Sequence, residues 1–404
     1  MKQGVVIVGG GQAAASAAAK LRELDGDVKI TLICGEPVLP YQRPPLSKKY
    51  LSGEMPLDRL ILRPQDWFDQ QNINVQCDQF VTSLDRDNKQ AVLADGVRIG
   101  YDKLLLTTGS KARLLPDASG ANAQGVHYLR AAIHADNMRP ILQAGRKLVV
   151  IGGGYIGLEV SAVAAQMGMD VTVVELADRI LQRVAAPQTS DFFRQLHTAN
   201  GVRILESTGL DKIVSENGRS TGVAVAGGDV IDADMVLVGI GVLPQTELAE
   251  ASGLTVENGI LVDTLCRTSD PDIYAAGDCT SFSYNGANIR LESVSNAIHQ
   301  AEIAAQNILG NDLNYIATPW FWSDQYDVKL QIAGLNMGYD HTLVRPGKRE
   351  GSQSVWYYRG DTLLAVDAMN DAPSFMMARR ILEAGKSVPK SAAADGQTNL
   401  KDWI

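Results

Sequence analysis

Two glycine-rich turns have a spacing that suits the binding of a pyrophosphate. The first occupies residues 9–14 (GGGQAA) and the second residues 152–157 (GGGYIG). In the pattern G-x-G-x-x-G/A the first glycine permits a tight bend, the second lets phosphates approach the backbone, and the third small residue lets a helix pack closely on a strand. Free N–H groups at the start of that helix then bind the phosphates. Both turns therefore predict dinucleotide binding.

An acidic residue follows each turn at a distance that suits contact with a ribose. Glu36 comes 22 residues after Ala14, and Glu175 comes 18 residues after Gly157. A carboxylate in this position accepts hydrogen bonds from the adenosine ribose of a dinucleotide. Two complete units imply two dinucleotides. FAD with NAD(P)H is the economical pair, because a nicotinamide reduces a flavin only when the two are held face to face.

The segments around both turns have the pattern of alternating strands and helices. Continuous apolar runs at Val5–Val8 and at 148–151 are typical of parallel strands buried on both faces. The alanine-rich stretch Gln12–Leu24 has high helix propensity. Further apolar runs, at 28–36 (VKITLICGE) and 171–174, lead to the two acids. The sequence thus predicts an α/β fold with two Rossmann-like dinucleotide-binding domains.

The composition excludes several classes of protein. The chain has 404 residues, enough for two or three domains, and its net charge of −9 argues against nucleic acid and anionic membranes as partners. No apolar run approaches the roughly 18 residues of a membrane-spanning helix, and the start lacks a signal-peptide core. The four cysteines lack C-x-x-C spacing and the five histidines are scattered. We therefore expect free, buried thiols, no metal site and a cytoplasmic location.

Three later segments resemble the two-dinucleotide-fold flavoprotein reductases, which have a glutathione-reductase-like arrangement. Residues 101–110 (YDKLLLTTGS) and 234–254 resemble the strand-and-glycine crossings between the two dinucleotide-binding domains. Residues 268–279 (TSDPDIYAAGDC) resemble the segment whose aspartate, here Asp278, contacts the flavin. The resemblance implies that the N-terminal unit holds FAD and that the inserted unit holds NAD(P)H.

Residues 39–51 (LPYQRPPLSKKYL) point to a narrower family than the three segments above. The adjacent prolines Pro44 and Pro45 predict an extended chain without backbone donors. The segment resembles the corresponding part of the NADH-dependent ferredoxin reductases that serve bacterial cytochromes P450 and Rieske dioxygenases. This resemblance implies that Arg43 and Lys48 lie against FAD, with Lys48 close to the reactive ring.

A second segment, residues 319–334 (PWFWSDQYDVKLQIAG), is similar to the start of the C-terminal domain in the same family. In that family it brings a tryptophan near the flavin and the ferredoxin surface. Trp320 and Trp322 are two residues apart and would share one face of a strand. The resemblance further implies flavin contacts for Arg130 and Val294.

The resemblance also assigns roles around the nicotinamide. Glu159, two residues after the second turn, is expected to contact the nicotinamide carboxamide. Catalytic roles are predicted for Lys48, Glu159 and Trp320, with no nucleophile, general base or metal. The predicted cofactor contacts are Gly9, Gly11, Gln12, Ala13, Ala14, Glu36, Arg43, Lys48, Val81, Arg130, Gly152, Gly154, Tyr155, Ile156, Gly157, Glu159, Glu175, Arg183, Gly241, Asp278 and Val294.

The predicted architecture has three domains. A discontinuous FAD-binding domain is expected at residues 1–110 and 240–317, and an NAD-binding domain at 111–239. A smaller α+β domain is expected at 318–404. Residues 384–398 are polar and of low complexity, and they are predicted to form a loop near the C-terminus.

The predicted function is that of an NADH:ferredoxin oxidoreductase. Because no cysteine lies between Cys34 and Cys77, the redox cysteine that related peroxidases and disulfide reductases carry near the flavin is missing. Electrons must then pass directly to an outside acceptor. The resemblance implies that this acceptor is a [2Fe–2S] ferredoxin that feeds a cytochrome P450 or a Rieske oxygenase. The alternatives are an NADH oxidase or diaphorase, and an NADH-sensing flavoprotein with slow turnover. An acidic ferredoxin needs a local basic patch, and its candidates are Lys48, Lys49, Arg290 and Lys329.

Overall fold

The computed structural model describes residues 3–404, and the chain divides into two compact units. The first unit comprises Met1–Arg43, Leu57–Lys111 and Val242–Pro319. The second unit comprises Pro44–Pro56, Ala112–Gly241 and Trp320–Ile404. Two of the places where the chain passes between the units are the short strands Ser110–Ala112 and Val242–Pro244. The finer division into FAD, NAD and C-terminal domains stays a prediction.

A five-stranded parallel sheet forms the centre of the first unit. Most residues of its strands are buried, as continuous apolar runs predict for a sheet covered on both faces. In spatial order the strands are Ile273–Ala275, Lys103–Leu106, Val5–Val8, Ile30–Ile33 and Ile73–Gln76. The parallel α/β arrangement that the sequence predicts is therefore confirmed for this unit.

Two helices of the first unit pack together, and both bury several alanines. The helix Gln12–Leu24 buries Ala14 and Ala18, and the helix Val294–Ile308 buries Ala301 and Ala304. Side chains this small let two helices approach closely. The unit also contains the helices Gln65–Gln70 and Glu247–Ala251, the antiparallel strands Val81–Asp85, Gln90–Leu93 and Arg98–Gly100, and a small sheet of Ile260–Leu261, Thr280–Tyr284 and Ala287–Ile289.

A second five-stranded parallel sheet lies in the second unit. Its strands in spatial order are Arg203–Leu205, Asp170–Val174, Lys147–Ile151, Met235–Val238 and Val126–His127. The strands predicted at 148–151 and 171–174 are both present. Its other elements are the helices Ala132–Met138, Tyr155–Gln166 and Pro187–Ala199 and the antiparallel strands Leu210–Glu216, Arg219–Val225 and Val230–Asp232.

The C-terminal part of the second unit is built on a five-stranded antiparallel sheet with helices. The strands in spatial order are Trp320–Gln325, Val328–Gly334, Thr362–Met369, Gln353–Arg359 and His341–Pro346. The helices are Ala372–Glu383 and Lys390–Ala394. This mixture agrees with the predicted α+β character. Within residues 3–404, no helix has the length and apolarity needed to cross a membrane.

Two local predictions from the sequence are wrong. The Pro44-Pro45 pair does not make an extended segment, because Pro44–Ser47 forms a short 3-10 helix. Proline fits the first turn of a helix, where its missing N–H would have no partner and its fixed φ is already suitable. The polar stretch 384–398 is not all loop, because the alanine run within it forms the helix Lys390–Ala394.

The four cysteines are free. Cys34, Cys266 and Cys279 are buried as predicted, whereas Cys77 is only half-buried. Burial raises the pKa of the Cys34 thiol well above its ordinary value, and the same cause raises the pKa of Cys266. These thiols therefore stay protonated and unreactive at neutral pH.

Candidate dinucleotide sites

The first glycine turn has the geometry of a phosphate cradle. Gly9 has a φ of +134°, and a Cβ there would lie 2.2 Å from the carbonyl oxygen of Thr107, so only glycine fits. Gly11 precedes the helix Gln12–Leu24 and provides no side-chain hydrogen bond to its first N–H groups. A Cβ on Gly11 would meet nothing within 4 Å. The free N–H groups of the helix start thus lie beside open space, which suits a pyrophosphate.

The second turn repeats this geometry. Gly152 has a φ of +103°, and a Cβ there would lie 2.6 Å from the carbonyl oxygen of Gly239. A Cβ on Gly157 would lie 2.3 Å from the carbonyl oxygen of Gly152, so the helix can pack this closely on the strand only with glycine. Gly154 precedes the helix Tyr155–Gln166 without a side-chain cap, and a Cβ there meets nothing within 4 Å. This turn also suits a dinucleotide.

The acids predicted to bind ribose are held by nearby donors. Glu36 accepts hydrogen bonds from the Tyr41 hydroxyl and from Arg43 Nη2, both at 2.6 Å. Glu175 accepts from the backbone N–H groups of Gly153 at 2.6 Å and Ala177 at 2.8 Å. A carboxylate has about four lone-pair sites, so each acid keeps acceptor capacity for a ribose hydroxyl.

The segment with Asp278 lies beside the first turn. Gly277 has a φ of +86°, and a Cβ there would meet the Cβ atoms of Ala13 at 3.3 Å and of Ala297 at 3.7 Å. Ser110 Oγ donates to Asp278 Oδ2 at 3.0 Å. Val294 is the first residue of its helix, which the side chain of the preceding serine caps. Four segments distant in sequence are thus brought together within the first unit.

Glu159 lies in a buried polar cluster of the second unit. Its side chain is 5% exposed, and Lys48 Nζ lies 2.6 Å from Glu159 Oε2. Ser47 Oγ donates to the same carboxylate oxygen, and Ser323 Oγ donates to Oε1 at 2.6 Å. Breaking such a buried pair is costly because one charge is left without its partner. The structure therefore brings together two of the predicted catalytic residues, Lys48 and Glu159.

Ser47 and Ser323 are site residues that the sequence did not reveal. Ser323 lies on the strand Trp320–Gln325, and period-two alternation places it on the face opposite Trp320 and Trp322. That alternation was the available signal. It could not show that a serine would meet a glutamate 164 residues away in sequence.

The predicted shared face of the two tryptophans is confirmed. Their rings stack with centroids 5.6 Å apart. Phe375 packs on Trp320 at 6.2 Å, and the Arg379 guanidinium carbon lies 5.5 Å from the centroid of the Trp320 ring. Trp320 is thus part of an aromatic cluster with a cation on its face.

The other predicted contacts lie in varied surroundings. Tyr155 packs on Phe321 with centroids 4.8 Å apart, and its hydroxyl is buried without a hydrogen-bond partner among residues 3–404. A Cβ on Gly241 would lie 3.6 Å from Arg183 Nη1, so these two positions are close. The remaining positions are Gln12 at the start of the first helix, Val81 at the start of a strand, Arg130 just before the helix Ala132–Met138, and Ile156 on an exposed helix position.

Two candidates for a basic docking patch are engaged elsewhere. Lys48 is paired with Glu159, and its side chain is only 16% exposed. Arg290 is paired with Glu292 at 2.7 Å and also donates to Asn258. A cation held by a neighbouring acid offers less free charge to a partner, and the location of the patch stays a prediction. Lys49 and Lys329 are exposed.

Comparison with known proteins places the chain in a family. Residues 3–301 match the pyridine nucleotide-disulphide oxidoreductase family, and residues 320–404 match a reductase C-terminal family. The chain is 45% identical to a rhodocoxin reductase of Rhodococcus erythropolis over 98% of this chain and 93% of that protein. It is 41% identical to a ferredoxin–NAD(P)+ reductase of Sphingomonas sp. over 99% of this chain and 97% of that protein.

Comparison with a solved structure also shows similarity to a ferredoxin reductase. The chain superimposes on the reductase of a covalent putidaredoxin reductase–putidaredoxin complex with a TM-score of 0.95 and 40% identity, over 99% of this chain and 97% of that one. The match covers the glycine turns, Asp278 and the C-terminal sheet alike. On this evidence the chain belongs to the pyridine nucleotide-disulphide oxidoreductase family and, within it, to the putidaredoxin reductase-type ferredoxin reductases.

Proposed function

We propose that this protein is an NADH-dependent ferredoxin reductase. It carries FAD, takes two electrons from NADH and delivers them singly to a [2Fe–2S] ferredoxin that feeds a cytochrome P450 or a Rieske oxygenase. The observation that carries the proposal is the pair of glycine turns, each with an open cradle and an uncapped helix N-terminus. Because one such turn binds one dinucleotide, two turns suit a protein that uses FAD and NAD(H) together.

The residues of the first unit would hold FAD. The helix start after Gly11 would bind the pyrophosphate, and Glu36 would accept from the adenosine ribose. Arg43 orients the Glu36 carboxylate through their 2.6 Å contact. Asp278, fixed by the Ser110 hydroxyl, would contact the flavin side of the cofactor. Val81 and Val294 are proposed as apolar contacts in the same unit.

The second turn would hold NAD(H). Its helix N-terminus would bind the pyrophosphate, and Glu175 would accept from the adenosine ribose. Arg183 and Gly241, which are close to each other, are proposed nucleotide contacts. Glu159 would accept a hydrogen bond from the nicotinamide carboxamide, with Lys48 balancing its charge. Arg130 remains a proposed cofactor contact from the resemblance alone.

The chemistry needs no reactive side chain from the protein. When bound, FAD supplies the exchange between two-electron and one-electron chemistry. The family is named for disulphide oxidoreduction, but the thiols of Cys34 and Cys266 are buried and held protonated. The side chains therefore bind and orient, and electrons leave to an outside acceptor.

We also propose that the protein works in the cytoplasm. Its four cysteines are free, and free thiols are usual where glutathione and thioredoxin keep cysteine reduced. NADH is the reductant of the same compartment.

Absorption spectroscopy and oxygen uptake test the proposal. The purified protein should be yellow with one FAD per chain, and a [2Fe–2S] ferredoxin should divert electrons from NADH away from oxygen. A folded protein that stays colourless after FAD is added would refute the proposal. An oxygen uptake that ferredoxin does not change would instead favour an NADH oxidase, and slow turnover with a long-lived charge-transfer band would favour a sensing flavoprotein.

A further inference from the structure

A chain of buried hydrogen bonds leads away from Glu159 through the second unit. Ser323 Oγ bonds Glu159 Oε1 at 2.6 Å, and Gln325 Nε2 bonds Ser323 Oγ at 3.2 Å. His197 Nε2 bonds Gln325 Oε1 at 2.8 Å, and the Tyr326 hydroxyl lies 3.4 Å from His197 Nδ1. The inner members are fully buried, with exposures of 0% for Ser323, 1% for Gln325 and 0% for His197. A polar chain this deep in a protein is costly unless every member is satisfied.

The donors in this chain all point toward Glu159. The Gln325 amide oxygen can only accept, so His197 Nε2 carries the hydrogen. His197 Nδ1 is then the acceptor for the Tyr326 hydroxyl. Burial lowers the pKa of His197, which keeps the ring neutral with a single N–H. Gln325 next donates its amide N–H to Ser323, whose hydroxyl hydrogen is left for the carboxylate. Aligned donors polarise one another and strengthen the last bond, the one to an anion.

The composition of the chain suits orientation and not proton transfer. A side-chain amide does not readily give up and regain a proton, so Gln325 interrupts any relay between His197 and Glu159. The amide does fix the direction in which the Ser323 hydroxyl points. Three donors, from Lys48, Ser47 and Ser323, then occupy three of the roughly four lone-pair sites of the Glu159 carboxylate. One site is left for an amide N–H of a ligand.

We infer that Ser323, Gln325 and His197 are positioning residues for NADH oxidation, which hold the Glu159 carboxylate so that its remaining lone pair faces the nicotinamide carboxamide. The inference rests on the proposed function, because it takes Glu159 as the nicotinamide contact. The three residues act through Glu159 and touch neither nucleotide nor flavin. Their substitution should therefore affect the nicotinamide half of the nucleotide and spare the adenosine half.

Titration of the FAD-loaded protein with NAD+ and with ADP-ribose separates the two halves, because ADP-ribose lacks nicotinamide. Ser323→Ala removes the donor to Glu159. Gln325→Glu keeps size and shape but has no N–H to give, so the Ser323 hydroxyl turns toward the new carboxylate. The matched control is Ser354→Ala. Ser354 lies on another strand of the same sheet, and its hydroxyl is as buried as that of Ser323. This hydroxyl donates to Asp371 at 3.1 Å.

Both test variants should weaken NAD+ binding about tenfold, a fraction of what a hydrogen bond to a charged group contributes. Their affinity for ADP-ribose and their FAD content should equal those of the wild type, and Ser354→Ala should bind both ligands normally. Unchanged NAD+ affinity, or an equal loss for NAD+ and ADP-ribose, would overturn the inference. If Ser323→Ala does not fold, Gln325→Glu decides alone. A wild-type protein that binds neither ligand would refute the proposed function instead.

Discussion

At the scale of single residues, the two acids predicted to bind ribose are each fixed by nearby donors. Each follows its glycine turn at a distance that the sequence alone makes meaningful, and each is held by donors that the sequence did not identify. Glu175 is tied to its own turn through the N–H of Gly153, whereas Glu36 is tied to Tyr41 and Arg43. A carboxylate held in one orientation discriminates between ligands better than a mobile one, because it cannot rotate to reduce its repulsion of an anionic ligand.

Glu175 should make the protein prefer NADH over NADPH. A 2′-phosphate would meet a carboxylate that cannot move, at a cost of about 1–3 kcal/mol or about 5- to 150-fold in kcat/KM. Arg179 donates to Ser190 Oγ at 2.6 Å, and its positive charge, like that of Arg183, would reduce this cost. Glu175→Ala should narrow the NADH:NADPH ratio of kcat/KM. Asp178→Ala, which removes a nearby charge outside the turn, is the control, and equal kcat/KM values in the wild type would contradict this reading.

Trp320 should matter for electron exit and not for entry. Its ring sits between Trp322 and Phe375 with Arg379 on its face, and interface hot spots are rich in tryptophan and arginine. Trp320→Ala should cost about 2 kcal/mol of docking, or about 30-fold in ferredoxin affinity. Ferricyanide is small and needs no docking, so NADH–ferricyanide activity should persist while ferredoxin-dependent cytochrome c reduction falls.

The control for this experiment is Trp403→Ala. Trp403 is also a tryptophan, and it packs against the same hydrophobic cluster as Trp320. It should leave both activities intact. If Trp320→Ala loses both activities with FAD retained, Trp320 shapes the site and takes no part in electron exit.

Among the elements, the strand Trp320–Gln325 carries two different tasks on its two faces. Alternation places Trp320 and Trp322 on one side, and Phe321, Ser323 and Gln325 on the other. The first face builds the aromatic cluster, and the second meets Glu159 and His197. The alternation was predictable from sequence. The partners were not, because hydrogen bonds between strands and helices far apart in the chain leave no local pattern.

Predictions from local residue preferences were wrong for two elements, Pro44–Ser47 and Lys390–Ala394. Paired prolines favour an extended chain in isolation, yet they begin a 3-10 helix that delivers Ser47 and Lys48 to Glu159. The polar stretch near the C-terminus is held by Arg345, which is 5% exposed and donates to the carbonyl oxygens of Ala392, Ala393, Asp395, Gly396 and Thr398. In both cases the residues of the segment also suit a helix, and long-range contacts hold that helix in place.

The strand Thr362–Met369 contains a buried acid that should make stability depend on pH. Asp367 accepts hydrogen bonds from Thr189 and Tyr357, and burial raises its pKa to about 6. A raised carboxyl pKa means that the folded protein binds this proton more tightly than the unfolded chain. The stability it contributes is fully present below about pH 4, the ordinary pKa, and is lost as pH rises through about 6. The loss is about 3 kcal/mol.

Thermal melts of the wild type and Asp367→Asn between pH 4 and pH 7.5 measure this effect. The asparagine of this variant would keep an acceptor oxygen but cannot ionise, so the Tm difference between the two proteins should shift in favour of the variant as pH rises. A difference that stays constant across this range would show that Asp367 does not titrate there.

At the scale of the whole molecule, the sequence predicted the repeated phosphate cradle, the parallel sheets and the C-terminal α+β part. It could do so because glycine spacing and apolar runs are local signals with a fixed geometric meaning. It did not predict the Lys48–Glu159 pair or the role of Ser323, because these depend on how distant segments pack. The net charge of −9 is a property of the whole chain and does not locate a basic patch on its surface. Of the four cations proposed for docking, Lys48 and Arg290 are paired with acids.

The most direct test of the account is an anaerobic stopped-flow reaction of the FAD-loaded protein with NADH and a [2Fe–2S] ferredoxin. With oxygen absent, two molecules of ferredoxin should be reduced for each NADH consumed, because NADH gives two electrons and each cluster accepts one. The rate of NADH oxidation should rise with ferredoxin concentration until it saturates. If NADH oxidation stops after one turnover per flavin and the ferredoxin stays oxidised, the protein does not pass electrons from NADH to a ferredoxin.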